Sequence, residues 1–420
     1  MEFTSKEAIT NVALVGVFLP GDDERNFEAS LCELERLTET AGGKVIARLT
    51  QNRENPEPRT YIGQGKVEEL KELCENNDID TVIFDCELSP SQIKNLEDDT
   101  DLRVIDRSML ILDIFALHAV SGEGKLQVEL AQLKYTVPRL TGKGSELSRL
   151  GGGIGTRGPG ESKLETDRRH VRRRIDALRE QIERLEKNRT TQRAQRKRSG
   201  IFSVAIVGYT NAGKSTLLNA LTGAGILAED KLFATLDTTT RKYSLPSGEE
   251  ILLTDTVGFI RNLPHHLIDA FKSTLEELKY ADALMIVVDA SDPECAAQIE
   301  VTEKLISELG AGGLPTLYVF NKCDIGIRDV ISPFEDSKKE RIFISAKTGD
   351  GLSELSEKLE NLAHGGKKQL TFVFPHGDLS KKNILYKNAT VLSEEYGEEG
   401  VTVVAVADEK TAGQLKNYIK

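Results

Sequence analysis

Apolar and polar positions along the first 120 residues alternate between two periods. Short runs rich in β-branched residues, such as NVALVGVFL at 11–19, KVIARL at 44–49 and TVIFD at 81–85, are typical of buried strands. Between them, stretches with an apolar residue every three or four positions predict helices, among them ERNFEASLCELERLTETAGG and GKVEELKELCENN. Strands that alternate with helices favour a small parallel α/β domain in residues 1–120.

Residues 121–199 follow a seven-residue repeat instead. The first apolar seam consists of Leu126, Leu130, Leu133, Val137 and Leu140. The second consists of Leu164, Val171, Ile175, Leu178, Ile182 and Leu185. Narrow seams at this spacing predict two coiled-coil helices, and their closeness in sequence favours an antiparallel hairpin.

The segment between the two seams has little secondary-structure signal. Eight of the twenty residues at 141–160 are glycine, and Lys143, Arg149 and Arg157 are basic. A long loop of this kind is functional or a linker. At the tip of a hairpin, it is predicted to act as a probe that contacts phosphates in a narrow site.

Two further domains are predicted after the basic linker at 190–200. Residues 200–366 contain buried-strand runs such as DALMIVVDA and TLYVFNKCD, which favour a doubly wound sheet. In residues 367–420, the strand LTFVFPH, the helix-like NILYKNATVLSEEYG and the strand VTVVAVA predict a compact β-α-β unit. The fold class is therefore a multidomain α/β protein with a small α+β domain at its C-terminal end.

Composition and charge refine this picture. The chain has 420 residues and a net charge of −12, but residues 139–198 hold 18 Lys or Arg against 8 Asp or Glu. That segment carries +10 and the remainder −22, so we expect a basic arm that contacts nucleic acid, with a solvated helix face as the alternative. Arg168, Arg169, Arg172, Arg173 and Arg174 crowd its second helix. Five dispersed cysteines, no signal peptide and no membrane span predict a cytoplasmic, reduced protein, and we expect a monomer.

The stretch GYTNAGKS at 208–215 carries the clearest chemistry. It fits Gly-x-x-x-x-Gly-Lys-Ser between a strand-like run and a helix-like run, as a phosphate-binding loop requires. Its eight residues are Gly208, Tyr209, Thr210, Asn211, Ala212, Gly213, Lys214 and Ser215. Glycines let backbone N–H groups approach a phosphate, Lys214 adds a charge for the outer phosphates, and Ser215 offers a hydroxyl to Mg²⁺.

Later motifs complete a nucleotide site. The loop with Phe233, Ala234, Thr235, Leu236 and Asp237 can supply a second hydroxyl to Mg²⁺. In Asp255-Thr256-Val257-Gly258, the carboxylate can hold a metal-bound water and the glycine can reach a γ-phosphate. Asn321-Lys322-Cys323-Asp324 ends with a carboxylate that pairs with the N1–H and N2–H₂ edge of guanine, and Ser345-Ala346-Lys347 can donate an N–H to its O6. In this order, the motifs predict a GTP site with discrimination of about 10⁴–10⁵ against adenine.

Some weaker signals remain open. The run 61–70, YIGQGKVEEL, is either a second phosphate loop or a glycine turn that starts a helix, and the turn is favoured. Asp85 and Asp106 end predicted strands and are interpreted as caps rather than catalytic groups.

Over nearly its full length the chain resembles the HflX family of translation-factor-related GTPases. The resemblance rests on GYTNAGKS, FATLD, DTVGF, NKCD and SAK, and more specifically on QVELAQLKYTVPRL and GGGIGTRGPGESKLETDRR. It implies a GTPase that binds the large ribosomal subunit and its RNA and splits stalled ribosomes under stress. The tip at 151–160 would then reach towards the peptidyl-transferase centre.

The resemblance also implies roles for single residues. Ser215 and Thr235 would bind Mg²⁺, and Asp255 would hold the metal through water. Lys214, Thr235 and Gly258 would contact the reacting phosphate, and Asn211 matches an asparagine that binds K⁺ in some relatives. Many GTPases carry a water-orienting glutamine where this chain has Phe259, so we expect slow hydrolysis that a partner stimulates. His265 and His266 could position the water instead, but they are interpreted as ordinary loop residues.

Two rival functions remain at this stage. One is a regulatory GTP switch that binds a protein partner, with the basic arm as a solvated strut. The other is an RNA remodeller driven by ATP in the N-terminal half, although residues 1–120 contain no complete phosphate-loop pattern.

Overall fold

The computed structural model describes eleven stretches of the chain. They are residues 10–140, 168–187, 201–223, 225, 232–233, 238–262, 276–326, 339–365, 368–397, 400–407 and 409–420. These residues form three separate sheets, of four, six and three strands. No helix in these stretches is long and apolar enough to cross a membrane.

The first sheet is parallel throughout, with strand order β2-β1-β3-β4. Its strands are β1 (Asn11–Phe18), β2 (Lys44–Asn52), β3 (Thr81–Phe84) and β4 (Arg103–Asp106). Its helices are α1 (Glu24–Thr40), α2 (Gln64–Asn76), α3 (Pro90–Thr100) and α4 (Arg107–His118). Successive residues of β1 enter two different cores, Val12 with α1 and α4, and Ala13 with α2 and α3. Burial on both faces is expected for a parallel sheet, so the predicted N-terminal α/β fold is confirmed.

The polar residues at the ends of these strands have different roles. Asp106 caps α4, where its carboxylate accepts a 2.9 Å hydrogen bond from the Met109 amide, as predicted. Asp85 is not a cap; it binds the guanidinium of Arg107 at 2.6 Å. The Gly63 amide in the run 61–70 donates to Oε1 of Gln51 at 2.9 Å. Because Gln51 already uses that amide, the run behaves as a turn and helix start and not as a phosphate loop.

The hairpin is built from α5 (Gly122–Thr136) and a helix at 168–187, which we call α6. The two predicted seams meet in one core that contains Leu130, Ile175 and Leu178, with further contacts from Leu126, Leu133, Val137, Val171 and Ile182. Leu164 and the side chain of Leu140 lie outside the described residues, and Leu185 is not part of this core. Arg174 forms two 2.7 Å hydrogen bonds with Glu129 across the pair. However, α5 buries a second face, with Val128, Ala131 and Tyr135, in the core of the first sheet. The narrow-seam prediction was therefore incomplete for α5, because its repeat showed only the face towards α6.

As predicted, the second sheet is doubly wound, and its strand order is β10-β9-β8-β5-β7-β6. Its strands are β5 (Ser203–Gly208), β6 (Thr239–Ser244), β7 (Glu250–Asp255), β8 (Ala283–Asp289), β9 (Thr316–Asn321) and β10 (Glu340–Phe343). Its helices are α7 (Lys214–Thr222), α8 (Cys295–Glu308) and α9 (Leu352–Ala363). Only β6 is antiparallel to its neighbour. The carboxyl ends of the parallel strands therefore meet at one edge, where ligands bind in sheets of this class.

The third sheet is antiparallel, with strand order β11-β13-β12. Its elements are β11 (Lys368–Phe374), α10 (Lys382–Asn388), β12 (Thr390–Gly397), β13 (Gly400–Ala407) and α11 (Glu409–Gln414). The predicted helix over NILYKNATVLSEEYG is wrong in its second half, since 390–397 pairs with β13 as a hairpin. The α+β class holds, but the unit has one more strand than predicted.

Candidate nucleotide-binding site

The phosphate loop lies between β5 and α7, at the carboxyl edge of the second sheet. Gly208 has a φ of 146°, and a Cβ there would collide with the carbonyl oxygen of Val287. Asn211 has a φ of 61°, so the loop turns through left-handed backbone before α7 begins at Lys214. The positive end of α7 therefore faces the space enclosed by the loop.

The phosphate loop encloses the side chain of Lys214. Its side chain is buried, and Nζ donates a 2.8 Å hydrogen bond to the carbonyl oxygen of Tyr209. Burial lowers the pKa of the Lys214 ammonium to about 8, and the charge of Asp255 opposes this shift. A buried cation without full compensation is stabilised by an anion, and a phosphate supplies one.

Two oxygen groups meet beside Lys214. The Ser215 hydroxyl donates to Oδ2 of Asp255 at 2.7 Å, and the Asp255 carboxylate is fully buried. Hydroxyl and carboxylate oxygens form the donor set that Mg²⁺ prefers. The arrangement therefore fits the predicted metal site.

Gly258 and Phe259 approach the phosphate loop directly. A Cβ on Gly258 would lie 2.8 Å from Cα of Thr210 and 3.0 Å from Nζ of Lys214, so only glycine fits there. The Thr210 amide donates to the Phe259 carbonyl at 2.8 Å, and the Phe259 amide donates to the Gly208 carbonyl at 3.1 Å. The Phe259 side chain is 2% exposed and lies in the apolar core. The ring at the position where many GTPases carry a water-orienting glutamine is therefore closed off from solvent.

One polar atom of the loop has no protein partner. The Thr210 hydroxyl is buried, and within the described ranges nothing forms a hydrogen bond with it. Buried hydroxyls are normally satisfied. Together with the cationic Lys214, this orphaned group fits a phosphate in the loop.

Asn321 ties the base-recognition motifs to the phosphate loop. Its Nδ2 donates to the Ala212 carbonyl at 2.9 Å, and its Oδ1 accepts from the Ala346 amide at 2.9 Å. Ala346 is thus already engaged, which leaves the Lys347 amide as the candidate donor to guanine O6. The Cys323 amide donates to the carbonyl of Ile344, the residue before Ser345, so a further hydrogen bond joins the two base-recognition motifs.

Asp324 and Lys322 lie at the rim of the candidate nucleotide site. The Ser345 hydroxyl donates to Oδ1 of Asp324 at 2.7 Å and leaves the rest of this carboxylate exposed. Because Asp324 is exposed, a bound base itself would have to cover its carboxylate. Lys322 forms a 2.8 Å ion pair with Asp289 at the end of β8.

Several predicted residues lie outside the described part of the chain. They are Ala234, Thr235, Leu236 and Asp237, together with His265 and His266 and the glycine-rich tip at 151–160. Phe233 is described, and it is buried against Phe115 of α4 with ring centroids 4.7 Å apart. The predicted residues Thr256 and Val257 are also buried, and the Thr256 hydroxyl donates to the Ile206 carbonyl at 2.8 Å.

Sequence reasoning missed a contact between the first two sheets. The Tyr209 side chain was predicted to line the nucleotide site, but it leaves the loop and donates a hydrogen bond to Glu33 of α1. Arg107 and Arg261 complete this contact. Beside it, a cleft of about 940 Å³ separates α1 from Thr210, Asn211 and Lys322. No local pattern identified these residues, since their partners are distant in sequence.

Three family models match consecutive parts of the chain. A model described as GTP-binding GTPase N-terminal matches residues 28–116, and one described as GTP-binding GTPase middle region matches residues 118–196. A third, described as 50S ribosome-binding GTPase, matches residues 203–322. The three together extend from α1 to the Asn-Lys-Cys-Asp motif.

Curated relatives and solved structures are similar along most of the chain. GTPase HflX of Caldanaerobacter subterraneus subsp. tengcongensis is 51% identical over 97% of this chain and 93% of its own. GTPase HflX of Escherichia coli is 41% identical over 95% of this chain and 93% of its own. A crystal structure of a GTP-binding protein from Sulfolobus solfataricus in complex with GDP is 29% identical, with a TM-score of 0.45, over 85% of this chain and 99% of that one. Because the two GTPase HflX relatives are 51% and 41% identical over more than 90% of both chains, this chain belongs to the HflX family of GTPases.

Proposed function

We propose that this GTPase binds the large ribosomal subunit, splits or rescues stalled ribosomes under stress, and hydrolyses GTP slowly until the subunit stimulates it. The observation that carries this proposal is the buried position of Phe259. Phosphoryl transfer depends on an aligned water and on neutralised charge. A phenyl ring packed in the core does neither, so a partner has to complete the site.

The exposed arginines of α6 support an RNA partner. Arg169, Arg172 and Arg173 are all exposed on a helix that turns its apolar side to α5. Exposed arginines on an otherwise acidic chain favour contacts with RNA phosphates. Arg174 is excluded from this surface, because Glu129 holds it in a two-point ion pair.

The proposal also assigns roles to residues within the site. Lys214 would hold the outer phosphates, Ser215 and Thr235 would bind Mg²⁺, and Asp255 would hold the metal through water. A bound metal would neutralise charge on the phosphates. Gly258 leaves room for the γ-phosphate next to Thr210, where any side chain would collide.

The residues at the rim of the nucleotide site select the base. Asp324 accepts from the N1–H and N2–H₂ groups of guanine, and Asn321 holds Ala346 and the phosphate loop in register. The backbone of Lys347 donates to guanine O6. Adenine offers no donors that match Asp324.

A potassium dependence belongs to the same proposal. Asn211 turns the loop with a φ of 61°, and it matches the asparagine that binds K⁺ in some relatives. Hydrolysis should therefore be faster in KCl than in NaCl of equal ionic strength. Equal rates in the two salts would remove potassium from the proposal.

The direct test is dissociation of intact ribosomes. Purified protein with a non-hydrolysable GTP analogue should convert 70S particles to subunits in a sucrose gradient, while GDP should not. GTP turnover should rise when large subunits are added. If GTP turnover is equally fast without large subunits, the proposed stimulation is wrong. If the protein binds a non-ribosomal protein stably and leaves 70S particles intact, the regulatory-switch alternative is favoured.

A charge reversal tests the RNA surface. Arg172→Glu/Arg173→Glu should weaken binding to large subunits and reduce the slope of log K against log salt by about 2, since each lost phosphate contact removes about one unit. The control is Lys44→Glu/Lys71→Glu, which makes the same charge change at exposed positions of the first sheet unit. Equal losses in both variants would indicate a general charge effect and not a defined surface.

A further inference from the structure

The hydroxyl of Thr210 is a polar group of the phosphate loop to which no role is yet assigned. Thr210 is 6% exposed, and its hydroxyl is buried without a hydrogen-bond partner among the described residues. Buried polar groups are normally paired, because an unpaired hydroxyl loses its bonds to water and gains none in return. The unpaired Thr210 hydroxyl therefore favours a partner that binds to the protein.

The backbone of Thr210 is bound to the residue that stands where many GTPases carry the water-orienting glutamine. The Thr210 amide donates to the Phe259 carbonyl at 2.8 Å, and the Phe259 amide donates to the Gly208 carbonyl at 3.1 Å. These two hydrogen bonds form an isolated parallel bridge between Tyr209 and Phe259. Because the Phe259 ring is buried in the apolar core, this bridge holds the Thr210 backbone beside Gly258.

The side chain of Thr210 lies close to the groups that are proposed to contact the outer phosphates. A Cβ on Gly258 would lie 2.7 Å from Cγ2 of Thr210 and 3.0 Å from Nζ of Lys214. The methyl group of Thr210 and the ammonium group of Lys214 are therefore both adjacent to the same side of Gly258. In the proposed nucleotide complex, this is the position next to the γ-phosphate.

The hydroxyl of Thr210 can reach the position that its methyl group now occupies. Both groups are attached to Cβ, so rotation about χ1 from one staggered well to the next exchanges them. No hydrogen bond within the described ranges holds the hydroxyl in its present well. A γ-phosphate next to Gly258 would stabilise the rotamer in which the hydroxyl faces the phosphate.

Thr210 also lies beside space for a water molecule. It lines the cleft of about 940 Å³ next to the phosphate loop, whereas the Phe259 ring is 2% exposed and packs in the core. A threonine hydroxyl has one O–H donor and two acceptor lone pairs. The Thr210 hydroxyl can therefore donate to a γ-phosphate oxygen and accept from a water at the same time, which a phenyl ring cannot do.

We propose that Thr210 is the catalytic residue that orients the attacking water. Its hydroxyl accepts a hydrogen bond from the water and donates one to an oxygen of the γ-phosphate. As the water oxygen bonds to phosphorus, the bond from phosphorus to the β–γ bridging oxygen breaks, and GDP leaves with that electron pair. A proton of the water passes to the threonine oxygen while the threonine proton passes to the γ-phosphate oxygen. The products are GDP and inorganic phosphate, and the side chain is restored.

This role agrees with slow hydrolysis by the protein alone. A neutral hydroxyl is a weak base, so it contributes less than a group whose pKa lies near the working pH, and a partner that improves the neutralisation of charge still accelerates the reaction. The proposal rests on the proposed position of the γ-phosphate next to Gly258 and not on ribosome binding.

Removal of the hydroxyl tests the proposal. In Thr210→Val, which has nearly the same shape, single-turnover hydrolysis of GTP by the protein alone should slow by at least about tenfold, while the affinity for GDP should not change. Thr210→Ser keeps the hydroxyl and should retain most of the rate. Thr302→Val is the control, because it removes a buried hydroxyl of α8 that donates to the Gln298 carbonyl, away from the nucleotide. Hydrolysis by Thr210→Val at the rate of the unaltered protein would overturn the proposal.

The stability of the nucleotide-free protein gives a second readout. Thr210→Val removes a hydroxyl that has no partner without nucleotide, so its melting temperature should be equal to or higher than that of the unaltered protein. Thr302→Val breaks a formed hydrogen bond, so its melting temperature should be lower. A decrease in Thr210→Val as large as that in Thr302→Val would show that the Thr210 hydroxyl is bound within the protein, which contradicts the proposal.

Gly258→Ala separates the role of Thr210 from the position of the γ-phosphate. A methyl group on Gly258 would collide with Thr210 and approach Lys214, so hydrolysis should be lost. Normal hydrolysis by Gly258→Ala would show that the phosphate position is wrong, and this proposal with it, whereas normal hydrolysis by Thr210→Val alone would remove only the role of Thr210. None of these measurements includes ribosomes, so a failure to split ribosomes would count against the proposed ribosomal function alone.

Discussion

The hydroxyl of Ser215 donates a 2.7 Å hydrogen bond to Oδ2 of Asp255, which joins the start of α7 to the end of β7. The two residues are 40 positions apart in sequence. Their contact brings together the two oxygen groups that the sequence predicts to hold Mg²⁺, one directly and one through water.

Asp255→Asn should weaken the binding of Mg²⁺ with GTP. Asparagine keeps the shape but loses the charge that holds a metal-bound water, so metal affinity should fall about 10- to 100-fold. Isothermal titration with GTP in magnesium and in EDTA separates this effect from nucleotide binding itself. An equal loss in both buffers would show that Asp255 supports the loop and not the metal.

Asp324→Asn should reduce the affinity for GTP by at least about 100-fold, or about 3 kcal/mol, because guanine N1–H and N2–H₂ lose a charged acceptor. Fluorescent GDP displacement measures the loss. The control is Asp350→Asn, a nearby exposed carboxylate that binds the Thr348 hydroxyl. If ATP binds as well as GTP to the unaltered protein, base selection by Asp324 is wrong.

Gly208→Ala should destabilise the nucleotide unit by about 1–3 kcal/mol or more, because its φ of 146° and the Val287 carbonyl leave no room for a methyl group. Gly312→Ala is the matched control, since a Cβ there meets only Ser307 at an ordinary 3.5 Å and should change stability by less than about 0.5 kcal/mol. Calorimetry measures both. A stable Gly208→Ala protein that still binds GTP would contradict the close approach of β5 and β8.

Cysteine labelling should separate Cys32 from Cys74. Burial raises the pKa of the Cys74 thiol to about 11, so at pH 8 about one thiol in a thousand is the reactive thiolate. Cys32 is exposed on α1. Iodoacetamide at pH 8 should therefore modify Cys32 well before Cys74, as followed by peptide mass spectrometry. Comparable rates at both residues would show that α2 opens readily.

Contiguous motifs made the phosphate loop predictable. Gly208 to Ser215 are neighbours in sequence, and the strand before them and the helix after them are fixed by local periodicity. The doubly wound class of the second sheet followed for the same reason, whereas its strand order was not predicted. The residue roles assigned to Thr235 stay a prediction, because that residue lies outside the described ranges.

Errors arose where tertiary contacts override local pattern. The segment 390–397 has helix-like spacing, yet it pairs with β13, because the chain turns back at Gly397 and Gly400. The second buried face of α5 packs in the core of the first sheet, whose residues lie earlier in the chain. The hydrogen bond of Glu33 with Tyr209 joins residues 176 positions apart, which no sequence window can reveal.

Because α5 is attached to the first sheet unit, the hairpin would rotate together with that unit. One face of α5 is fixed in the core of the first sheet, and Arg139 at its end donates to the Leu88 carbonyl at 2.8 Å. The partner helix at 168–187 is about 30 Å long at 1.5 Å per residue. A rotation of about 10° between the first unit and the nucleotide unit would therefore move its far end by about 5 Å.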